Sequence, residues 1–170
     1  MDYVFHYSED PSIATFHPRE HPSHPSLPPS VWAIDAERAP MYYFPRDCPR
    51  IAFYAKADST AADKERFLGL GSAKMVIAIE SRWYSTLATT VLYQYTFAAD
   101  PFSCLDEGAG YFVSSKSVQP VEVTAMGDLL ARLAQANIEL RITPSLMPLK
   151  AALLDSSLQF SMIRMRNAVT

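Results

Sequence analysis

The segment HPREHPSHPSLPPS, residues 17–30, constrains the fold more than any other stretch of the chain. It holds five of the thirteen prolines and three of the four histidines. Each proline removes a backbone donor and restricts the residue before it, so neither a helix nor a central strand can run through the segment. Strand-like runs, YVFHY and VWAI, lie on either side of it. The pattern therefore predicts an ordered surface loop rather than a domain boundary.

The composition is that of a soluble globular protein with one domain over residues 1–170. It is 49% hydrophobic and 19% charged. A net charge of -3 argues against general binding to nucleic acid or anionic lipid. No apolar run approaches the roughly 20 residues of a membrane span, and no signal peptide is visible. Two distant cysteines, Cys48 and Cys104, fit a reducing cytoplasm.

Short strand-like and helical segments alternate irregularly after residue 30. Alternating or buried apolar runs predict strands near residues 51–55, 74–80, 91–98 and 138–142, and amphipathic runs predict helices near 126–137 and 143–155. A helical turn is expected at residues 12–16, and residues 99–110 read as a loop. Cap residues mark further helix ends: Asp35 opens a helix, Ser59 or Thr60 opens another that Gly69 or Gly71 stops, and Asn137 can end the helix near 126–137. We predict an α+β fold with a mixed or antiparallel sheet of about seven strands and three to five helices. The apolar segment 156–168 is either a last core element or a homodimer contact.

The three loop histidines raise the question of a metal site. His17, His21 and His24 would share one face of a helix, but prolines exclude a helix there. No cysteine pair or HExxH motif accompanies them. Solvent-exposed loop histidines are the favoured interpretation, and a loop metal site stays an alternative.

Arginines dominate the basic residues of the N-terminal third. Four of them precede the first lysine, Lys56: Arg19, Arg38, Arg46 and Arg50. The planar guanidinium pairs with phosphate or carboxylate through two hydrogen bonds, so these residues indicate either anion binding or structural ion pairs. Cys48 lies between two of them and is either an activated thiol or, as we prefer, a half-buried cysteine in a tight turn.

His6 is the one histidine on a predicted strand. Strand alternation places His6 and Ser8 on the same face, where they could bind a polar ligand such as a ribose. Trp32, Tyr42 and Tyr43 would add aromatic contact surface for a small ligand or for a protein partner. A non-catalytic small-ligand or protein-binding module is therefore an alternative to an enzyme.

Four runs carry a resemblance to known proteins: HYSEDPSIATFHPR, VWAIDAERAPMYYFPRDCPR, IELRITPSL and FSMIRMRNA. They cover much of the chain, and together they resemble a family of small bacterial proteins whose function is uncharacterised. That resemblance implies no activity.

The opening strand with His6, followed by VWAID and a tyrosine pair, is also similar to the ADP-ribosyltransferase-like fold. This resemblance implies an NAD-like nucleotide or phosphorylated riboside, with His6 on a ribose and Tyr42 or Tyr43 on the nicotinamide. A catalytic glutamate is expected just before Tyr111, but Gly110 stands there and the nearest glutamate is Glu107. Phosphate-binding relatives of the fold use histidine and arginine. By that likeness a phosphate would be bound by Arg19, Arg38, Arg46 and Arg50.

Overall fold

The computed structural model describes residues 1–170 and confirms the α+β class. It contains ten strands, where the sequence predicted about seven: β1 Tyr3–Ser8, β2 Val31–Ile34, β3 Arg50–Tyr54, β4 Met75–Glu80, β5 Tyr93–Ala98, β6 Ser103–Asp106, β7 Tyr111–Ser114, β8 Glu122–Ala125, β9 Ile138–Thr143 and β10 Gln159–Ile163. Four α-helices accompany them: α1 Ala61–Asp63, α2 Tyr84–Thr89, α3 Leu129–Gln135 and α4 Met147–Leu154. A π-helical turn, Lys64–Leu68, extends α1, and three 3₁₀ turns occupy Ala39–Tyr42, Ser81–Trp83 and Met165–Asn167. No helix is both long enough and apolar enough to cross a membrane.

The strands form two sheets in two compact units that interleave along the sequence. The first unit comprises Met1–Tyr43 and Val91–Gly127, and the second comprises Phe44–Thr90 and Asp128–Thr170. That residues 1–170 form one domain remains a prediction, since the contacts divide the chain into these two units.

The first unit is built on a six-stranded antiparallel sheet with the order β6-β7-β2-β1-β5-β8. Alternate residues of its central strands face a common core. That core contains Val4, Phe16, Val31, Ala33, Tyr95, Phe97 and Val118, all buried. The opposite face of the same strands carries Phe5, Trp32 and Ile34. Phe5 pairs directly with Ile34, and Trp32 lies two residues from Ile34 on the same strand, so all three side chains share this face.

The helical turn expected at residues 12–16 is absent. The Asp10 carboxylate instead accepts the Ser12 amide at 2.8 Å, which closes a local turn. Phe16 then pairs with Val118 through its backbone, and its ring packs edge-on against Tyr95 and Phe97 at 5.0 Å. Burying this ring stabilises the segment more than one isolated helical turn could.

The second unit contains a mixed four-stranded sheet with the order β10-β3-β4-β9. Only β4 and β9 are parallel, and β4 is buried along its whole length, as its continuous apolar sequence MVIAI predicts. The expected helix ends are confirmed. Thr60 caps α1 by accepting from the Asp63 amide, Gly69 ends the following turn at φ 60°, and Asn137 follows α3 at φ 58°.

Two local expectations in the first unit need correction. Residues 99–110 were expected to be a loop, but they contain the edge strand β6, whose four residues are all exposed. Without a buried face, this strand has no apolar alternation from which it could be predicted. Asp35 does accept the Arg38 amide at 2.7 Å, as an N-cap would, but only the short 3₁₀ turn Ala39–Tyr42 follows.

Candidate functional site

The proline-rich loop, residues 17–30, folds onto the indole of Trp32. The His24 ring stacks on it with centroids 5.0 Å apart and an interplanar angle of 27°. The His21 ring lies 4.7 Å from the same indole at 41°, and the two imidazoles are 5.2 Å apart. The loop thus delivers two flat, polar rings to one aromatic surface.

Backbone hydrogen bonds fix the course of this loop. Arg19 and Ser30 form a two-way bridge at its neck, with N···O distances of 3.1 and 3.0 Å. Within it, the amide of His24 donates to the carbonyl of His21, and the amide of Leu27 donates to the carbonyl of His24. The prolines limit the conformations open to the unfolded segment, so ordering it costs less entropy.

Two tyrosines extend the aromatic surface beyond Trp32. The Tyr111 ring meets the indole edge-on, with centroids 5.6 Å apart. The hydroxyl of Tyr42 donates to that of Tyr111 at 3.2 Å. We call this group of His21, His24, Trp32, Tyr42 and Tyr111 the Trp32 cluster.

His6 supports the cluster from the other face of the sheet. Its Nδ1 donates to the carbonyl oxygen of Trp32 at 3.1 Å, and its ring packs edge-on against Phe16. It pairs across the strands with the core residue Tyr95, so its side chain lies on the core face, while the Trp32 indole lies on the other. Ser8 shares the face of His6, and its hydroxyl accepts the Asp10 amide at 3.1 Å.

Tyr43 belongs to a second aromatic contact. Its ring meets Tyr7 edge-on with centroids 5.3 Å apart. The Tyr7 hydroxyl in turn donates to Oε1 of Gln94 at 2.9 Å. Tyr42 and Tyr43, adjacent in sequence, therefore serve different clusters.

Glu107 lies in the exposed turn between β6 and β7. Its carbonyl accepts the Gly110 amide at 3.3 Å, and its carboxylate makes no hydrogen bond or ion pair. No contact joins it to His6. The structure thus does not bring together the histidine and the glutamate that the transferase resemblance implies.

Gly110 occupies the position where that resemblance expects the glutamate. Its φ of +71° favours glycine. A Cβ atom there would approach the Arg38 side chain to 2.6 Å and the Asp35 carboxyl carbon to 2.9 Å. Arg38 is held in place, because it donates to the Gly108 carbonyl and pairs with Glu37 at 2.6 Å. No side chain can therefore be accommodated at position 110 without local rearrangement.

Arg19 has an exposed guanidinium that makes no hydrogen bond or ion pair within the protein. The Arg19 backbone pairs with Ser30 at the neck of the loop. Ser30 in turn precedes Trp32 by two residues in the sequence. Among the arginines predicted to bind a ligand, Arg19 is the one in the first unit with a free charge.

Arg50, in the second unit, is the first residue of β3 and has a structural role. It is buried, donates to the Cys48 carbonyl at 2.8 Å and lies over the Phe44 ring at 5.2 Å. Cys48 itself is fully buried, and burial raises the pKa of its thiol to about 12 against the opposing effect of Arg50. The turn-cysteine interpretation is thus supported and an activated thiol is not. Arg46 is exposed in the same turn.

Residues 5–168 match the model of a family of unknown function, DUF6886. The chain belongs to this family. No curated protein and no solved structure matches it. The expected membership of an uncharacterised family is confirmed, whereas the likeness to ADP-ribosyltransferases finds no support among solved structures.

The loop histidines of this DUF6886 protein do not form a metal centre in the structure. His17 shares a hydrogen bond with the Ser117 hydroxyl at 2.8 Å, while His21 and His24 lie against Trp32. No three histidine, cysteine or acidic side chains come close enough together to hold a metal ion. The alternative of a loop metal site therefore gains no support.

Three members of the Trp32 cluster in this DUF6886 protein escaped sequence reasoning: His21 and His24 as stacking partners, and Tyr111. Of the five cluster residues, only Trp32 and Tyr42 were predicted to bind a ligand. The signal for the histidines was present, since His-Pro pairs recur in a loop that ends two residues before a tryptophan. Nothing in the sequence indicated which ring they would meet.

Proposed function

We propose that the chain binds a nucleotide or another phosphorylated riboside at the Trp32 cluster, without catalysing its transfer. The observation that carries this proposal is the packing of two imidazoles against Trp32, one stacked and one tilted, in a loop whose neck carries an arginine with no partner. Indole and imidazole rings are flat surfaces on which a base can stack.

The charge pattern at the loop neck supports a phosphorylated ligand. Arg19 projects its guanidinium from the strand-like bridge to Ser30 and has no carboxylate partner to neutralise it. A free guanidinium can bind a phosphate through two parallel hydrogen bonds. The His24 ring nitrogens also make no hydrogen bond within the protein, so they are available to hydroxyls or phosphate oxygens of the ligand.

The arrangement favours binding over transfer. A group that stabilises a cationic ribose must lie beside the reacting carbon. Gly110 has no room for a carboxylate side chain, and Glu107 lies free in an exposed turn without contact to His6. In this proposal His6 positions β2 by its bond to the Trp32 carbonyl, and Trp32, Tyr42 and Arg19 contact the ligand.

Tryptophan fluorescence tests the proposal directly. The chain has two tryptophans, so a Trp83→Phe background leaves Trp32 as the sole indole. We expect NAD, ADP-ribose or AMP to change its emission saturably. Arg19→Gln should weaken binding about tenfold, as expected for losing a charge-assisted contact.

Arg166→Gln is the matched control, because Arg166 is also exposed and has no partner, but it lies in the second unit. It should leave the affinity unchanged. The absence of any saturable change with all three compounds at millimolar concentration would refute the proposal. Release of nicotinamide from NAD, followed by chromatography, would contradict its non-catalytic part.

A further inference from the structure

A second concave surface lies on the sheet of the first unit, apart from the Trp32 cluster. It is a groove of about 650 Å³, crossing strands β1 and β5 and the start of β8. The groove is lined by Tyr3, Phe5, Gln94, Thr96, Val121 and Glu122.

The strand register aligns three of these residues in one row. Phe5 pairs with Thr96, and Thr96 pairs with Glu122. Directly paired residues of antiparallel strands point to the same face, so an aromatic ring, a hydroxyl and a carboxylate stand side by side. Such a row offers three different kinds of contact to one small molecule.

Thr96 is a polar residue with nothing to bind inside the protein. It is 6% exposed and lines the groove, yet its hydroxyl makes no hydrogen bond with any other residue. No fully buried side-chain oxygen or nitrogen of the protein lacks a hydrogen-bond partner, so the Thr96 hydroxyl is open to the groove, where a ligand can bind it directly. The Gln94 side chain also keeps a free hydrogen-bonding group. Its Oε1 accepts a hydrogen bond from the Tyr7 hydroxyl, whereas its amide nitrogen donates to no other residue.

Glu122 gives the groove its charge. It is the only charged residue of the lining, and its carboxylate has neither an ion pair nor a hydrogen bond. The aromatic rings of Tyr3 and Phe5 present π surfaces that attract cations. A carboxylate beside aromatic rings is complementary to an ammonium group and repels an anion.

We infer that this groove binds a small organic ammonium compound. The ammonium group of the ligand pairs with the Glu122 carboxylate, lies against the ring of Phe5 or Tyr3, and donates a hydrogen bond to the Thr96 hydroxyl. The ligand class differs in charge from the phosphorylated riboside proposed for the Trp32 cluster, so either proposal can fail without the other.

Nuclear magnetic resonance titration of the full chain with cadaverine, at constant ionic strength, tests this inference. We expect saturable shifts of amide resonances confined to the residues of β1, β5 and β8 around the groove. The neutral diol of the same length should bind at least about tenfold more weakly, because it cannot pair with the carboxylate.

Two variants locate the site. Glu122→Gln, at an exposed position, should lower the affinity about tenfold, and Thr96→Val about threefold. Glu20→Gln removes an exposed carboxylate of the same unit outside the groove and should change nothing. Equal binding of diamine and diol, undiminished affinity in Glu122→Gln, shifts centred elsewhere or no saturable shift would each overturn the inference.

Discussion

The His24 imidazole stacks on the Trp32 indole with ring centroids 5.0 Å apart, so a loop residue shields a strand residue from solvent. The emission of that indole consequently reports where the proline-rich loop lies.

We expect His24→Ala, made in the Trp83→Phe background, to shift the Trp32 emission to longer wavelength and to increase its quenching by acrylamide. The reason is the loss of a ring that covers the indole. His17→Ala is the control, because His17 bonds to Ser117 and makes no ring contact with Trp32. Identical spectra for the two variants would contradict the stacked arrangement.

Gly110→Ala should destabilise the protein by at least about 2 kcal/mol, because the new methyl group combines a strained backbone with overpacking. The crowding comes from Arg38 and Asp35. Gly127→Ala separates the two causes. Its φ is +69°, but an added Cβ meets nothing within 4 Å, so only the backbone penalty of about 1 kcal/mol applies. Urea denaturation of both variants provides the comparison, and equal losses would argue against the crowding.

The buried Cys48 thiol should make the folded protein less stable in alkaline solution. Burial raises the pKa of this thiol from 9.0 to about 12 in the folded protein. Between these values the unfolded thiol has lost its proton and the folded one has kept it, so the free energy of unfolding falls as pH rises, by up to ~1.4 kcal/mol per pH unit. The contribution is fully present below pH 9.0.

Thermal denaturation of the protein and of Cys48→Ala from pH 8 to 11 isolates this effect as a difference in slope, since other groups titrate in both. At neutral pH, iodoacetamide should modify the exposed Cys104 and spare Cys48 until the protein unfolds. Parallel pH profiles would show that the thiol does not cause the alkaline loss.

The Glu80 carboxylate holds the C-terminal segment through a hydrogen bond to Val169. The Glu80 side chain is fully buried, accepts the Val169 amide at 2.8 Å and pairs with Arg82 at 3.0 Å. Glu80→Ala should cost about 2–4 kcal/mol, since it leaves a cavity and deprives the tail of its acceptor. Trypsin should then cleave after Arg166 faster than in the parent chain. Glu65→Ala, at an exposed carboxylate, should alter neither quantity.

Much of the fold followed from local patterns in the sequence. The apolar run of β4, the alternation in β5, the Thr60 cap and the turn at Asn137 are properties of short segments, and each appears where the sequence predicts it. The edge strand β6 could not be predicted because it exposes every side chain and is held by backbone pairing alone. Phe16 likewise escaped, because its core partners lie far away in sequence.

The candidate site was less accessible to such reasoning. The shared face of His6 and Ser8 follows from strand alternation, and Trp32 and Tyr42 were identified as aromatic contact residues. The packing of His21 and His24 against Trp32 depends on how a loop without regular structure returns over the sheet. The groove beside Glu122 depends on the register of three strands, which no local pattern encodes.

The interleaving of the two units sets the order in which each can be completed during synthesis. Tyr3 must find Ala98 as its strand partner, so β1 leaves the ribosome long before β5, and all of Phe44–Thr90 is made in between. The first sheet can close once β8 has emerged, whereas the second, begun with β3 and β4, waits for β9 and β10 at the end of the chain. Both closures join distant segments, which slows folding. A chain stopped soon after residue 127 would therefore contain one complete sheet and two strands of the other without their remaining partners.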